Sequence, residues 1–218
     1  MTKKIKEDKV RVIHNGIDIS QFNRPFMTDQ LKNTFGIERS DFVVTIVGRL
    51  SMEKGHDIFL KAAEKITKEK KNVKFLIIGD GPLKETLKSQ AKNLHLEEKV
   101  IFTGIRSDMP EIYSISDILV NSSFIEGLPM TILEAMASKV AIIATRVGAI
   151  PQVIKHGING ILLDSGDYEG LAREICFLMD QPNKRKALFE QAYKDVCENF
   201  SASKMADQYT KIYQEILN

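Results

Sequence analysis

Cysteine is scarce in this sequence: two in 218 residues, Cys176 in "EICFLMD" and Cys197 in "DVCENF". Both fall in helical patterns without metal-ligand spacing, which argues against a disulfide framework or a zinc site and suits a reducing compartment. Metal chemistry has little else to draw on. His14, His56, His95 and His156 are scattered and no Asp-x-Asp occurs, so no divalent site that would clamp a diphosphate is suggested. A charge excess is missing too. Lys and Arg total 31 against 29 Asp and Glu, and the basic residues spread along helical faces apart from "TKKIKEDK" at the start and "KEKK" near Lys68. That distribution argues against a nucleic-acid partner. No apolar stretch approaches the roughly eighteen residues of a membrane-spanning helix. The N-terminus is charged where a secretory signal would turn apolar. A cytoplasmic location is expected. With no repeat, low-complexity segment or linker, residues 1–218 read as one domain with a sizeable core.

What is present is a succession of short β-branched runs separated by longer helical patterns. The strand candidates are "VRVIHN", "FVVTIVG" (42–48), "VKFLIIG" (73–79), "VIFTG" (100–104), "DILVNSS" (117–123), "AIIAT" (141–145) and "GILLD" (160–164). Most are continuously apolar, as strands buried on both faces are. Between them "HDIFLKAAEKITKEKK" sets Ile58, Leu60, Ala62, Ala63 and Ile66 against lysines, and "PLKETLKSQAKNLH" opens on Pro82, a favoured first helical residue. The alternation predicts an α/β, Rossmann-like three-layer domain with a parallel sheet of about six strands. From about residue 168 the strands stop and helical stretches follow to the C-terminus.

In such sheets ligands bind beyond the carboxyl ends of the strands, so the loops leaving each strand carry the functional information. In "VGRLSMEKGHD", Gly48 ends a strand, Arg49 and Lys54 flank a tight turn, and Gly55 opens a helix whose free N–H groups favour an anion. This describes a phosphate site, with solvated surface charges as the alternative. The order Lys-Gly is not that of a Walker loop. "IIGDGPLKE" holds Gly79 and Gly81, but Lys84 stands where a dinucleotide fingerprint needs a third glycine. A tight turn with positive φ explains it better. In "FTGIRSDMPEIY", Gly104 closes a strand, and Ile105 and Arg106 lie on a loop rim that could hold a planar base. A plain loop is the simpler reading.

The fourth loop, "EGLPMTILEAMA" (126–137), is the most informative. Pro129 suits a first helical position, which places Glu126 and Gly127 in the approach loop and turns the free amides of the first helical turn toward it. Glu134 lies inside the helix among Ile132, Leu133, Ala135, Met136 and Ala137. A carboxylate so placed needs hydrogen-bond donors. They could come from a core Arg or Lys, from snorkelling to the edge, or from the hydroxyls of a bound ribose.

"GRLSMEKG", "EGLPMTILEAMA" and the intervening "IFTG…MPEIYSISDILVNSS" resemble the C-terminal, donor-binding half of retaining glycosyltransferases of the GT-B fold, the glycosyl transferases group 1 family, from about Val12 onward. Glu126 and Glu134 match its Glu-x7-Glu motif. The resemblance implies that Arg49 and Lys54, beside Gly48, bind the nucleotide diphosphate, and that Glu134 binds the ribose hydroxyls. It implies that Glu126 faces the transferred sugar and that the backbone from Gly127 and Leu128 through Pro129 and Met130 to Thr131 contacts the diphosphate or sugar; Gly104 and Ile105, on the rim of the third loop, join the nucleotide-binding candidates. Arg49, Lys54 and Glu126 are then the catalytic candidates. The implied donor is a nucleotide-diphosphate sugar, UDP-sugar favoured, with no metal or other cofactor. The implied setting is bacterial surface polysaccharide or glycolipid synthesis, and the anomeric configuration is retained. The acceptor glycan or glycolipid would be held by an N-terminal half absent from this sequence. A glycolipid acceptor would bring the whole enzyme to the cytoplasmic face of the membrane. The sequence departs from the family's usual pattern at His14, Lys139, Ala149 and Gln152. Alternatives of other classes are half of a sugar-nucleotide epimerase, a non-catalytic nucleotide-sugar module, and an oxidoreductase, which rests on "GDG" alone.

Overall fold

A computed structural model describes residues 10–217; the basic start "TKKIKEDK" lies outside them. The strands are β1 (Phe42–Val47), β2 (Val73–Ile78), β3 (Val100–Gly104), β4 (Ile118–Asn121), β5 (Ala141–Thr145) and β6 (Ile161–Leu163). They form one sheet in the order β3-β2-β1-β4-β5-β6, every neighbouring pair parallel. The chain is therefore a three-layer, Rossmann-like α/β domain. Val44 and Ile46 of β1 pack into one core while Val43 packs into another on the opposite face. Burial on both faces is what makes the strands read as unbroken apolar runs.

One helical layer holds α2 (His56–Glu69), α3 (Lys84–Asn93) and α7 (Tyr168–Asp180). In α2, Ile58, Ala62 and Ile66 recur every fourth residue and are buried with Phe59 and Ala63, while Lys61, Lys65 and Lys68 lie on the other side. That stripe docks the helix and fixes its rotation. Asp167 starts α7 by accepting a hydrogen bond from the Gly170 N–H at 2.7 Å. The opposite layer contains α5 (Met130–Ala137) and α8 (Pro182–Asn199), which pack on each other. Five of the eight residues of α5 are buried, so it is covered on nearly every side. Three short helices, α1 (Thr28–Thr34), α4 (Met109–Ser114) and α6 (Ile150–Val153), fill connections, and α9 (Ala202–Leu217) ends the described chain with no buried residue.

Several local expectations shift. "VRVIHN" is not a strand; Ile17, just after it, makes a single bridge to Ser201 beside α9. Pro82 lies in the turn before α3, and Pro129 is the N-cap of α5 rather than its first residue. Lys139 has φ +57, a conformation that favours glycine, and its ammonium lies 4.5 Å from the centroid of the Tyr193 ring. Gly79 has φ +131, and a Cβ there would come within 2.0 Å of the Gly48 carbonyl oxygen. Close backbone approach therefore accounts for "GDG" without a dinucleotide.

Candidate functional site

The strand order reverses between β1 and β4, and in open sheets of this kind the crevice that takes a ligand lies beyond the carboxyl ends of the strands at that point. The two loops that border it are 48–55 and 122–129. They are stitched together: the Phe124 N–H donates to the Glu53 carbonyl at 2.8 Å, and the Ser122 hydroxyl donates to the Gly55 carbonyl at 2.9 Å. Gly55, at φ +65, is the N-cap of α2. Behind the second loop, the Ala149 N–H donates to the Gly127 carbonyl at 3.1 Å. The glycines at the ends of β3, β2 and β1 also abut, since the Gly79 N–H donates to the Gly104 carbonyl at 2.9 Å while Gly79 crowds Gly48.

Across this crevice the Lys54 ammonium lies 2.7 Å from Oε1 of Glu126. Glu126 is nearly enclosed, its side chain 7% exposed against 26% for Lys54. The same oxygen accepts from the Ser123 hydroxyl at 2.7 Å and from the Asn121 amide at 3.2 Å. Partial burial makes this charge pair stronger than a surface pair, and the neutral donors offset the cost of removing the carboxylate from water. Arg49 is exposed in the same loop, where the Ser51 hydroxyl chiefly, and the Arg49 charge to a lesser degree, hold the Glu53 carboxyl below the usual range.

Glu134 faces a different partner. The Tyr113 hydroxyl of α4 donates to its Oε2 at 2.8 Å, and no Lys or Arg pairs with it among the described residues. Burial pushes its carboxyl above the ordinary 4.5, with the Tyr113 hydrogen bond opposing the shift. The Tyr113 hydroxyl is itself raised well above 10, first by burial and then by the neighbouring carboxylate. Leu128, Pro129, Met130 and Thr131 are half-buried at the start of α5, whose first N–H groups precede any intrahelical acceptor. At the far rim Ile105 is 80% exposed, while Arg106 is tied to Asp108 by two hydrogen bonds of 2.8 and 2.6 Å. His56, at the start of α2, is buried, and desolvation lowers it to about 4, so it is neutral near pH 7. Among the described residues no three of His, Cys, Asp and Glu come together as metal ligands, and no helix is long and apolar enough to cross a membrane.

A family model described as "Glycosyl transferases group 1" matches residues 27–195. The chain belongs to this family. It is 34% identical to N-acetyl-alpha-D-glucosaminyl L-malate synthase of Bacillus anthracis over 98% of this chain and 56% of that protein. It is 27% identical to the UDP-Gal:alpha-D-GlcNAc-diphosphoundecaprenol alpha-1,3-galactosyltransferase of Escherichia coli over 96% of this chain and 55% of that one. Among solved structures, Anabaena HepE in complex with UDP-glucose superposes with a TM-score of 0.89 at 26% identity, covering 96% of this chain and 58% of that one. The chain spans about half the length of the curated relatives it matches, and its sheet and flanking helices are those of one half of a GT-B glycosyltransferase.

In this group 1 chain the loop residues picked out by sequence lie on neighbouring strand ends, with Lys54 and Glu126 in direct contact. Three polar residues around them escape sequence reasoning. Tyr113 sits twenty-one positions before Glu134, in a helix too short to show a period. Asn121 and Ser123 do leave a signal: "NSS" ends the apolar run "DILV" only a few residues before Glu126.

Proposed function

We propose that this chain is the donor-binding half of a retaining glycosyltransferase that moves a sugar from a nucleotide-diphosphate sugar, UDP-sugar favoured, to an acceptor hydroxyl in bacterial surface polysaccharide or glycolipid synthesis. The observation that carries the reading is the Lys54–Glu126 pair at the point where the strand order reverses, beside the open N-terminus of α5. The names of relatives that act on or are bound to UDP-sugars support it. Negative charge grows on the departing diphosphate as the glycosidic bond breaks, and cations and amides already aimed there lower the barrier. Lys54, Arg49 and the first amides of α5 fill that role without a metal. Glu126 faces the transferred sugar, and Glu134 offers its oxygen not engaged by Tyr113 to the ribose.

A thermal-shift panel of nucleoside diphosphates, their sugars and nicotinamide dinucleotides tests this. A ligand of the native state at a hundred times its Kd adds about 2.7 kcal/mol. For a chain of this size that raises the melting temperature by about 5–10 °C. UDP and UDP-sugars should give the largest shifts. A response to nicotinamide dinucleotides alone, or to none of the panel, would overturn the assignment.

Glu134→Gln separates ribose binding from a structural role. In the folded chain the carboxyl is raised above 4.5, so the native state holds the proton more firmly than the unfolded one. The resulting contribution is fully present below 4.5 and is lost as pH rises through the folded value. Glutamine avoids that loss and still accepts from Tyr113. Apo stability at neutral pH should be unchanged or higher, while binding of a ribonucleotide weakens roughly tenfold, more than that of its 2′-deoxy analogue. Denaturation beside nucleotide titration reads both. A destabilised variant with unaltered preference for ribose would assign Glu134 to the fold.

A further inference from the structure

Among the described residues the three donors to the Glu126 carboxylate converge on one oxygen. Lys54, Ser123 and Asn121 reach Oε1 at 2.7, 2.7 and 3.2 Å, while Oε2 accepts no hydrogen bond among the described residues. The carboxylate is thus saturated at one oxygen and, among the described residues, free of hydrogen bonds at the other. Ser123 itself is 2% exposed and tied on both of its backbone groups. Its N–H donates to the Asn121 side-chain oxygen at 3.4 Å. Its carbonyl accepts from the Thr145 hydroxyl at 2.6 Å and from the Ser165 hydroxyl at 3.4 Å. The residue therefore joins the ends of β4 and β5 and the loop after β6.

The donors are not equivalent. Lys54 carries a charge that a bound diphosphate also attracts, and its ammonium must be shared once the donor is in place. Ser123 and Asn121 are neutral, and the enclosed Ser123 hydroxyl has a single proton, which is directed at Glu126. They are the part of the clamp that a diphosphate does not compete for. Locked side chains behind a binding group are what hold it in its productive geometry.

We propose that Ser123, assisted by Asn121, is a positioning residue that fixes Glu126 with Oε2 turned to the crevice, and so governs recognition of the donor's sugar separately from its diphosphate. This deepens the proposed function and rests on it. The quantity to read is the ratio of the Kd for UDP to the Kd for a UDP-sugar, measured by calorimetry on the 218-residue chain with UDP, UDP-glucose and UDP-N-acetylglucosamine. For the sugar bound more tightly, Ser123→Ala should lower that ratio roughly fivefold to tenfold, while the Kd for UDP changes less than about twofold. Because Ser123 acts through Glu126, adding Ser123→Ala to Glu126→Ala should lower the ratio no further. A merely structural serine would weaken UDP and UDP-sugar alike and would remain additive in that cycle. If Ser123→Ala does not fold, Asn121→Ala gives the same readout. An unchanged ratio in the variant, additivity in the cycle, or a wild-type ratio near one each overturns the positioning role and leaves the proposed function standing. Failure of the wild-type chain to bind UDP or either UDP-sugar overturns both.

Discussion

Lys54→Ala is expected to lower turnover roughly 10²-fold or more in an enzyme that contains this half, a loss of about 2.7 kcal/mol in transition-state stabilisation. The ammonium reaches Glu126 at 2.7 Å while its side chain stays 26% exposed, so it can face the crevice without leaving the pair. As the diphosphate departs, a fixed charge there stabilises the transition state more than the ground state. Truncation also costs stability, because Glu126 loses its only charged partner among the described residues. That cost is smaller than for a fully buried pair, since Ser123 and Asn121 still donate to the carboxylate and water reaches Lys54. Rates are therefore to be measured well below the melting temperature, with denaturation curves recorded on the same preparation. Lys54→Arg keeps the charge and should fall between wild type and alanine. A near-normal rate for Lys54→Ala would remove this residue from the mechanism.

The sheet was largely legible because a strand buried on both faces has to be apolar along its length, as "FVVTIV" and "AIIAT" are. "VRVIHN" carries the same local pattern without becoming a strand, since composition does not say whether a sheet edge is within reach. In the fold its neighbour Ile17 meets Ser201 instead. The short helices α1, α4 and α6, of seven, six and four residues, fall below the length at which a 3.6-residue period can be seen. Around the crevice, the spacing of Glu126 and Glu134 was readable, and so was the cationic loop. Their partners were not. Glu126 meets Lys54 across seventy-two positions and Glu134 meets Tyr113 across twenty-one, and only the strand order brings such distant residues together. The polar ending "NSS" shows how far local reading reaches: it marks an interruption at a strand end but not the carboxylate it serves.

The largest expected effect concerns the chain taken alone: it should bind a nucleoside diphosphate and transfer nothing. The chain spans 56% of its Bacillus anthracis relative and 58% of the Anabaena structure solved with UDP-glucose. We assign the acceptor site and the facing wall of the crevice to the remainder of such longer proteins. With one wall open, the diphosphate stays partly hydrated and few contacts are fully buried, so the affinity should be weak, roughly 10–1000 μM. Transfer needs more than binding, because an acceptor hydroxyl has to be held within reach of the anomeric carbon and water has to be kept from it. Orientation of that kind accounts for as much as about 7–11 kcal/mol of a barrier, far beyond what Lys54 or Arg49 can supply from one side. Joining the chain to an upstream acceptor half, or co-expressing the two, should therefore restore transfer by closing the crevice over the donor. Calorimetry with UDP and a radiolabelled-sugar transfer assay on one preparation check both parts of the expectation. Robust transfer by the 218-residue chain alone would refute the division of labour, because it would mean that these strand-end loops assemble an acceptor site by themselves.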